Sequence, residues 1–205
     1  MKSSNIYQQN DTVSNWFVNS YWNFGNSTYN YISAANTAGF TTLSYDRLGT
    51  GASPKADPYS IVQAPVELAI LTKITELLRS GSLHRKISKP KKVVHVGHSY
   101  GSSLSNALVA TRPELSDGLV TTGYSHNGSF FGDFLINTGF HLARDNSPRF
   151  KGYSTGYVTW PDKYSNEYSK SSTMPTKTIS DQIPTTRLLS LPGLLPLGYY
   201  NGWRH

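Results

Sequence analysis

The sequence predicts an α/β domain built on a parallel sheet. Strand-like and helix-like segments alternate over residues 27–125, the pattern expected of βαβ units. The helical segments end at Gly39, Gly81 and Pro113, residues that stop helices for stated steric reasons. A chain of 205 residues with 37% hydrophobic content is long enough to bury one sizeable core.

In chain order, Ser27–Ala38 places Tyr31, Ile32, Ala35 and Ala38 at helical spacing before Gly39. Phe40–Asp46, "FTTLSYD", is β-branched and aromatic and is expected to be a strand, broken by "RLGTGAS". "APVELAILTKITELLRSG" puts Pro65 in a first helical turn and Val66, Ile70, Ile74, Leu77 and Leu78 on one face, with Gly81 as the stop. "KKVVHVG" then reads as a strand, "SYGSSLSNALVATRP" as a helix and "DGLVTTGYS" as a third strand. After residue 126 the rhythm fails. "FFGDFLINTGFHLARDNSPRF" has no clear period, and prolines at 175, 184, 192 and 196 prevent a long helix in the tail. That tail, from Lys170, is expected to be irregular or disordered.

Composition limits the function classes. No apolar run approaches the ~18 residues needed to span a bilayer, and the polar first 25 residues carry no signal-peptide pattern. The absence of Cys excludes disulfides, cysteine zinc sites and a cysteine nucleophile. A net charge of +7 raises the question of nucleic acid. Its densest basic run, His84–Lys92, accompanies no nucleic-acid module and reads as a solvated loop, so no nucleic-acid partner is expected. Sequons at Asn10, Asn26 and Asn127 leave secretion open, and neither localisation nor oligomeric state is readable.

Two segments match G-x-S-x-G: "GHSYG" around Ser99 and "GYSTG" around Ser154. In a chain rich in both residues, random placement gives such a match in roughly one sequence in five or six, so the pattern alone decides nothing. Context separates the two. A serine hydroxyl becomes a useful nucleophile on a sharp strand-to-helix turn, where the helix N-terminus and the following amide favour a developing oxyanion. Ser99 has "VVHVG" ahead and "SSLSNALVA" behind; Ser154 has neither element. The plainer alternative for Ser99 is an ordinary helix N-cap.

"AGFTTLSYDRLGTGAS", "IVQAPVELAI" and "KVVHVGHSYGSSLSNALVATRPELSDGLVTTGYS" together resemble the α/β-hydrolase fold family, in particular fungal members of the α/β-hydrolase-1 type. "YDRLGTGAS" is similar to that family's D-x-x-G-x-G-x-S turn, "SYWNF" at residues 20–24 to the segment after its oxyanion loop, and "GYVTWPDKYSNEYS" to its inserted cap. The resemblance covers residues 20 to 168. It implies a parallel-sheet α/β-hydrolase core, incomplete, with an irregular cap-like C-terminal region. Its expected parts are a partial core at 1–125, a cap or lid at 126–169 and a tail at 170–205.

By the same resemblance Ser99 is the nucleophile, Gly97 and Gly101 are the elbow glycines, and the backbone N–H of Tyr100 is an oxyanion donor. His98 occupies the second elbow position, where a side chain packs near the nucleophile. His95 is expected to be a core residue, and Asp46, Arg47, Gly49 and Gly51 a structural turn. The chemistry implied is attack on ester-like acyl compounds, small-molecule or lipid-like, with no cofactor and no metal.

Other family parts have no evident counterpart. Residues 1–20 contain neither His nor Gly, so no His-Gly oxyanion loop is seen. The triad acid and His should follow later strands. The acids after Ser99 are Glu114, Asp117, Asp133, Asp145, Asp162, Glu167 and Asp181, and none is singled out. The histidines available as base are His126, His141 and His205. The expectation is a chain carrying the middle of such a fold, its start and end truncated or divergent. Two readings stay open: an active serine hydrolase, or an inactive partial domain lacking triad acid, triad His and oxyanion loop.

Overall fold

The structure, a computed structural model, describes residues 22–23, 28, 30–129, 131–137, 139–160 and the backbone of 189–190. Asn10, Asn26, Asp162, Glu167, Asp181 and His205 lie outside the described residues, as do most of the expected tail and residues 161–169 of the expected cap.

Helix α1 spans Tyr31–Thr37. Asn30 caps it by accepting the Ser33 N–H at 2.8 Å, which satisfies one of the donors a helix start leaves open. Helix α2 spans Ala64–Ser80, begins beside Pro65 and ends at Gly81 in the left-handed region (φ 81°). Strand β1 is Val94–His98, helix α3 Tyr100–Thr111 and strand β2 Gly118–Thr122. The strands pair in parallel, from Val94 opposite Gly118 to His98 opposite Thr122, with α3 as the crossover. This is the expected βαβ unit. Asp117 fastens its opening end: its carboxylate accepts from Val93 N and Arg79 Nη1, both at 2.7 Å.

The expected strand Phe40–Asp46 is corrected: the segment carries no sheet ladder among the described residues. β-propensity alone does not make a strand, because a strand exists through a neighbour's hydrogen bonds, and among the described residues β1 and β2 pair only with each other. Phe40 is accordingly 65% exposed.

The core face of α2 also differs from expectation. Val66, Ile70, Ile74, Leu77 and Leu78 are only half-buried, whereas Ala64, Glu67 and Thr75 are buried. The stripe turned inward contains polar groups because it has polar partners. Thr75 Oγ1 meets His95 Nε2 at 3.1 Å, and Glu67 meets Arg47. His95 is thus a core residue as expected, its Nδ1 on Ser116 Oγ at 2.8 Å. Burial and the nearby Arg79 guanidinium hold its pKa below the usual histidine value. A base depressed in the folded state is bound by fewer protons there than in the unfolded chain. Stability is therefore full above about pH 6.5 and falls as pH drops below it. Thermal melts of wild type and His95→Gln between pH 7.5 and 5 should converge as pH falls; parallel curves would contradict this.

Beyond β2, helix α4 spans Phe131–Asn137, and strands β3 (His141–Leu142), β4 (Tyr157–Thr159) and β5 (Leu189–Ser190) form an antiparallel sheet in the order β3-β4-β5. Helix α5, Ala143–Asn146, follows β3 directly. These strands of two or three residues are too short to show an alternating pattern, which is why no period is visible in the sequence there. Ala143, Phe150 and Tyr157 form a buried cluster with Tyr153 against it. Tyr157 donates its hydroxyl to Ala56 O at 2.7 Å, so this unit is anchored on the loop after the D-x-x-G-x-G-x-S turn. No helix among the described residues is long and apolar enough to cross a membrane.

Candidate active site

Ser99 sits between the end of β1 and the start of α3, with φ 52° and ψ −118°. It is the one non-glycine residue with positive φ among the described residues. Such a backbone costs of order 1–3 kcal/mol and survives only where the surroundings over-determine it. An ordinary N-cap serine has extended backbone and turns its hydroxyl back onto the helix. Ser99 does neither, since its side chain makes no capping bond. The Tyr100 N–H, first in the helix, has no acceptor among the described residues, leaving a donor and the helix dipole beside the Ser99 hydroxyl.

The two flanking glycines are not equivalent. A Cβ on Gly97 would lie 2.5 Å from Gly101 O and from Ser102 N, backbone atoms that cannot yield. At Gly101, in the first turn of α3, a Cβ would meet nothing within 4 Å among the described residues. Close approach of strand to helix therefore demands glycine at 97 alone.

The second serine motif is a turn. In "GYSTG", Ser154 O accepts the Tyr157 N–H at 3.2 Å and leads into β4, with no helix behind it.

The D-x-x-G-x-G-x-S segment folds onto itself. Asp46 Oδ2 accepts Ala52 N–H at 2.8 Å, Ser53 Oγ donates to Asp46 O at 2.6 Å, and Thr50 Oγ1 donates to Arg47 O at 2.8 Å. Gly51, at φ 49°, lies so close to the Asp46 carboxylate that no Cβ fits. Arg47 leaves this knot to bridge two other elements. Its Nη1 meets Glu67 Oε2 of α2 at 2.8 Å, and its guanidinium carbon stands 4.7 Å from the centre of the Tyr100 ring. The Tyr100 hydroxyl is buried against Glu67 but falls short of hydrogen-bond geometry. Burial raises the Glu67 pKa, opposed by Arg47. It also pushes the Tyr45 phenol up to about 12 and raises that of Tyr100, so both stay neutral at ordinary pH. The sequence motif and the serine turn are thus joined through Arg47 and Tyr100.

Thr122 and Ser102 escaped the sequence reading. Thr122, at the end of β2, takes the Ser99 N–H on its carbonyl at 2.8 Å. Its Oγ1 donates to Gly97 O at 3.0 Å and also meets His98 Nδ1 at 3.0 Å. A hydroxyl has one hydrogen; with that given to Gly97, neutral His98 must carry its own proton on Nδ1. No sequence signal marks Thr122, because it lies 23 residues beyond Ser99 in an unremarkable "VTTG".

The structure gathers Ser99, Gly97, His98, Tyr100 and Gly101 at one turn, as contiguity requires. It does not join Ser99 to the other candidates: no hydrogen bond links the Ser99 hydroxyl to a histidine among the described residues. His126 is exposed with its Nδ1 3.4 Å from Tyr124 OH, and His141 is exposed in β3. Several acids serve elsewhere. Asp117 holds the strand starts, Glu114 pairs with Arg112 at 2.6 Å, and Asp145 lies near Arg144 at 3.7 Å.

Comparison with curated proteins returns no match. Comparison with family models returns one, for the alpha/beta hydrolase family, over residues 14–205. That match takes in the βαβ unit, the Asp46 turn and the strained serine between strand and helix, and the chain belongs to the alpha/beta hydrolase family.

Proposed function

We propose that this chain is a serine hydrolase acting on small-molecule, ester-like acyl substrates. The observation that carries this reading is Ser99 itself: a left-handed backbone (φ 52°), a hydroxyl not spent on capping, and a helix N-terminus alongside. Ser99 Oγ attacks the acyl carbonyl while a histidine takes its proton, and the Tyr100 N–H donates to the resulting oxyanion. Collapse of that intermediate expels the alcohol, which recovers the proton from the histidine. Water then cleaves the acyl-enzyme, its proton passing to the same base. The base is drawn from the histidines after β2: His126, His141 and His205. Residues 126–169, which follow the strand end beside Ser99, supply the cap that selects the substrate.

The test is hydrolysis of a series of p-nitrophenyl esters by the purified, folded chain. Wild type should turn over at least one of them, and Ser99→Ala should lose at least about 1,000-fold in rate at unchanged melting temperature. Equal turnover by Ser99→Ala would contradict the assignment.

A further inference from the structure

Strain at Ser99 requires something that holds it, and the bonds that do so converge on one residue of another strand. The Thr122 carbonyl accepts the Ser99 N–H at 2.8 Å and the Ser102 hydroxyl at 2.9 Å, while the Thr122 N–H donates to Ser102 Oγ at 3.1 Å. Thr122 Oγ1 donates to Gly97 O at 3.0 Å. The strand before the serine, the serine and the helix after it are therefore each tied to Thr122. Ser102 is fully buried, and its hydroxyl spends both its donor and an acceptor site on this one partner.

We propose that Thr122, clasped by Ser102, is the positioning residue that holds Ser99 in its reactive backbone conformation. It acts through the chain and touches no substrate. The Oγ1 bond to Gly97 sets the strand end, the carbonyl fixes the Ser99 amide, and the Ser102 bonds set where α3 begins. The Tyr100 N–H beside Ser99 is placed by the same contacts. The inference rests on the proposed role of Ser99 for its catalytic consequence, but the clasp has a readout of its own.

Thr122→Val keeps the branched shape and removes Oγ1; Ser102→Ala removes the other side-chain bonds without altering β2. Two quantities are measured on each folded variant: amide hydrogen exchange of the Ser99–Ser103 segment, and the rate of fluorophosphonate labelling of Ser99. Both variants should exchange at least about tenfold faster in that segment, with exchange in α2 unchanged. Labelling should slow by about 10- to 100-fold, the scale of a small misplacement of a reacting group. Thr122→Ser, which restores the hydroxyl, should recover both, as a merely space-filling role would not allow. Unchanged exchange around Ser99 in both variants would overturn the clasp whether or not wild type is labelled. If the wild type is labelled and both variants are labelled at its rate, the positioning role is overturned. Faster exchange in a protein whose wild type takes no label would support the clasp and overturn the hydrolase reading.

Discussion

Gly97→Ala should destabilise the chain severely, whereas Gly101→Ala should leave it as stable as wild type or slightly more so. The two glycines look alike in "GHSYG", yet a methyl at 97 would meet main-chain atoms of Gly101 and Ser102 at 2.5 Å. Neither atom is the end of a flexible side chain. Relief requires moving α3 off β1, and overpacking of this rigid kind costs about 3 kcal/mol or more. Gly101 occupies an α3 position with open space, where alanine is worth about 0.5–1 kcal/mol over glycine in an unstrained helix interior. Chemical denaturation of the two variants tests the contrast directly. Equal losses at both positions would show that the strand–helix approach is not as close as the structure has it.

Glu67→Leu should cost about 3 kcal/mol, and adding Arg47→Met should recover most of that. Glu67 is 2% exposed and pairs with Arg47 at 2.8 Å. Removing one partner of a buried pair leaves an uncompensated charge, at a cost of about 3–5 kcal/mol; replacing both with apolar groups is often neutral. The Arg47 side chain retains 22% exposure, which relieves part of its isolation and places the expected loss at the lower end. The buried Tyr100 hydroxyl faces Glu67 and loses that polar neighbour in either variant, so part of the loss is expected to remain after Arg47→Met. A double-mutant cycle by denaturation gives the coupling. Additive losses would show that the pair contributes no mutual stabilisation.

The parts of the fold legible in the sequence were those set by local chemistry. Pro65 and Gly81 bracket α2, and "VVHVGHSYG" announces a strand, a turn and a helix because an apolar β-branched run leads into the glycine-flanked serine and a helical run follows it. What the sequence could not show depended on distant partners. "FTTLSYD" has strand composition, but no neighbouring strand takes its hydrogen bonds among the described residues. Glu67 and Thr75 interrupt an apolar helix and look like surface residues until Arg47 and His95 are seen opposite them. The same holds at the site. Ser99 and Gly97 were readable, because turn geometry restricts which residues can stand there. Thr122 was not, since threonine fits any strand and only the three-dimensional register brings it to Gly97, Ser99 and Ser102.

The central claim is that the backbone at Ser99 presents a nucleophile. Its most direct test is treatment of the folded chain with a fluorophosphonate, followed by peptide mapping. Attack by an activated serine displaces fluoride and leaves a stable phosphonyl adduct on the hydroxyl. The adduct is expected on the peptide carrying "HVGHSYGSS", at Ser99, and not at Ser154 in "GYSTG". A folded protein that takes up no label, or takes it at another serine, would contradict the account.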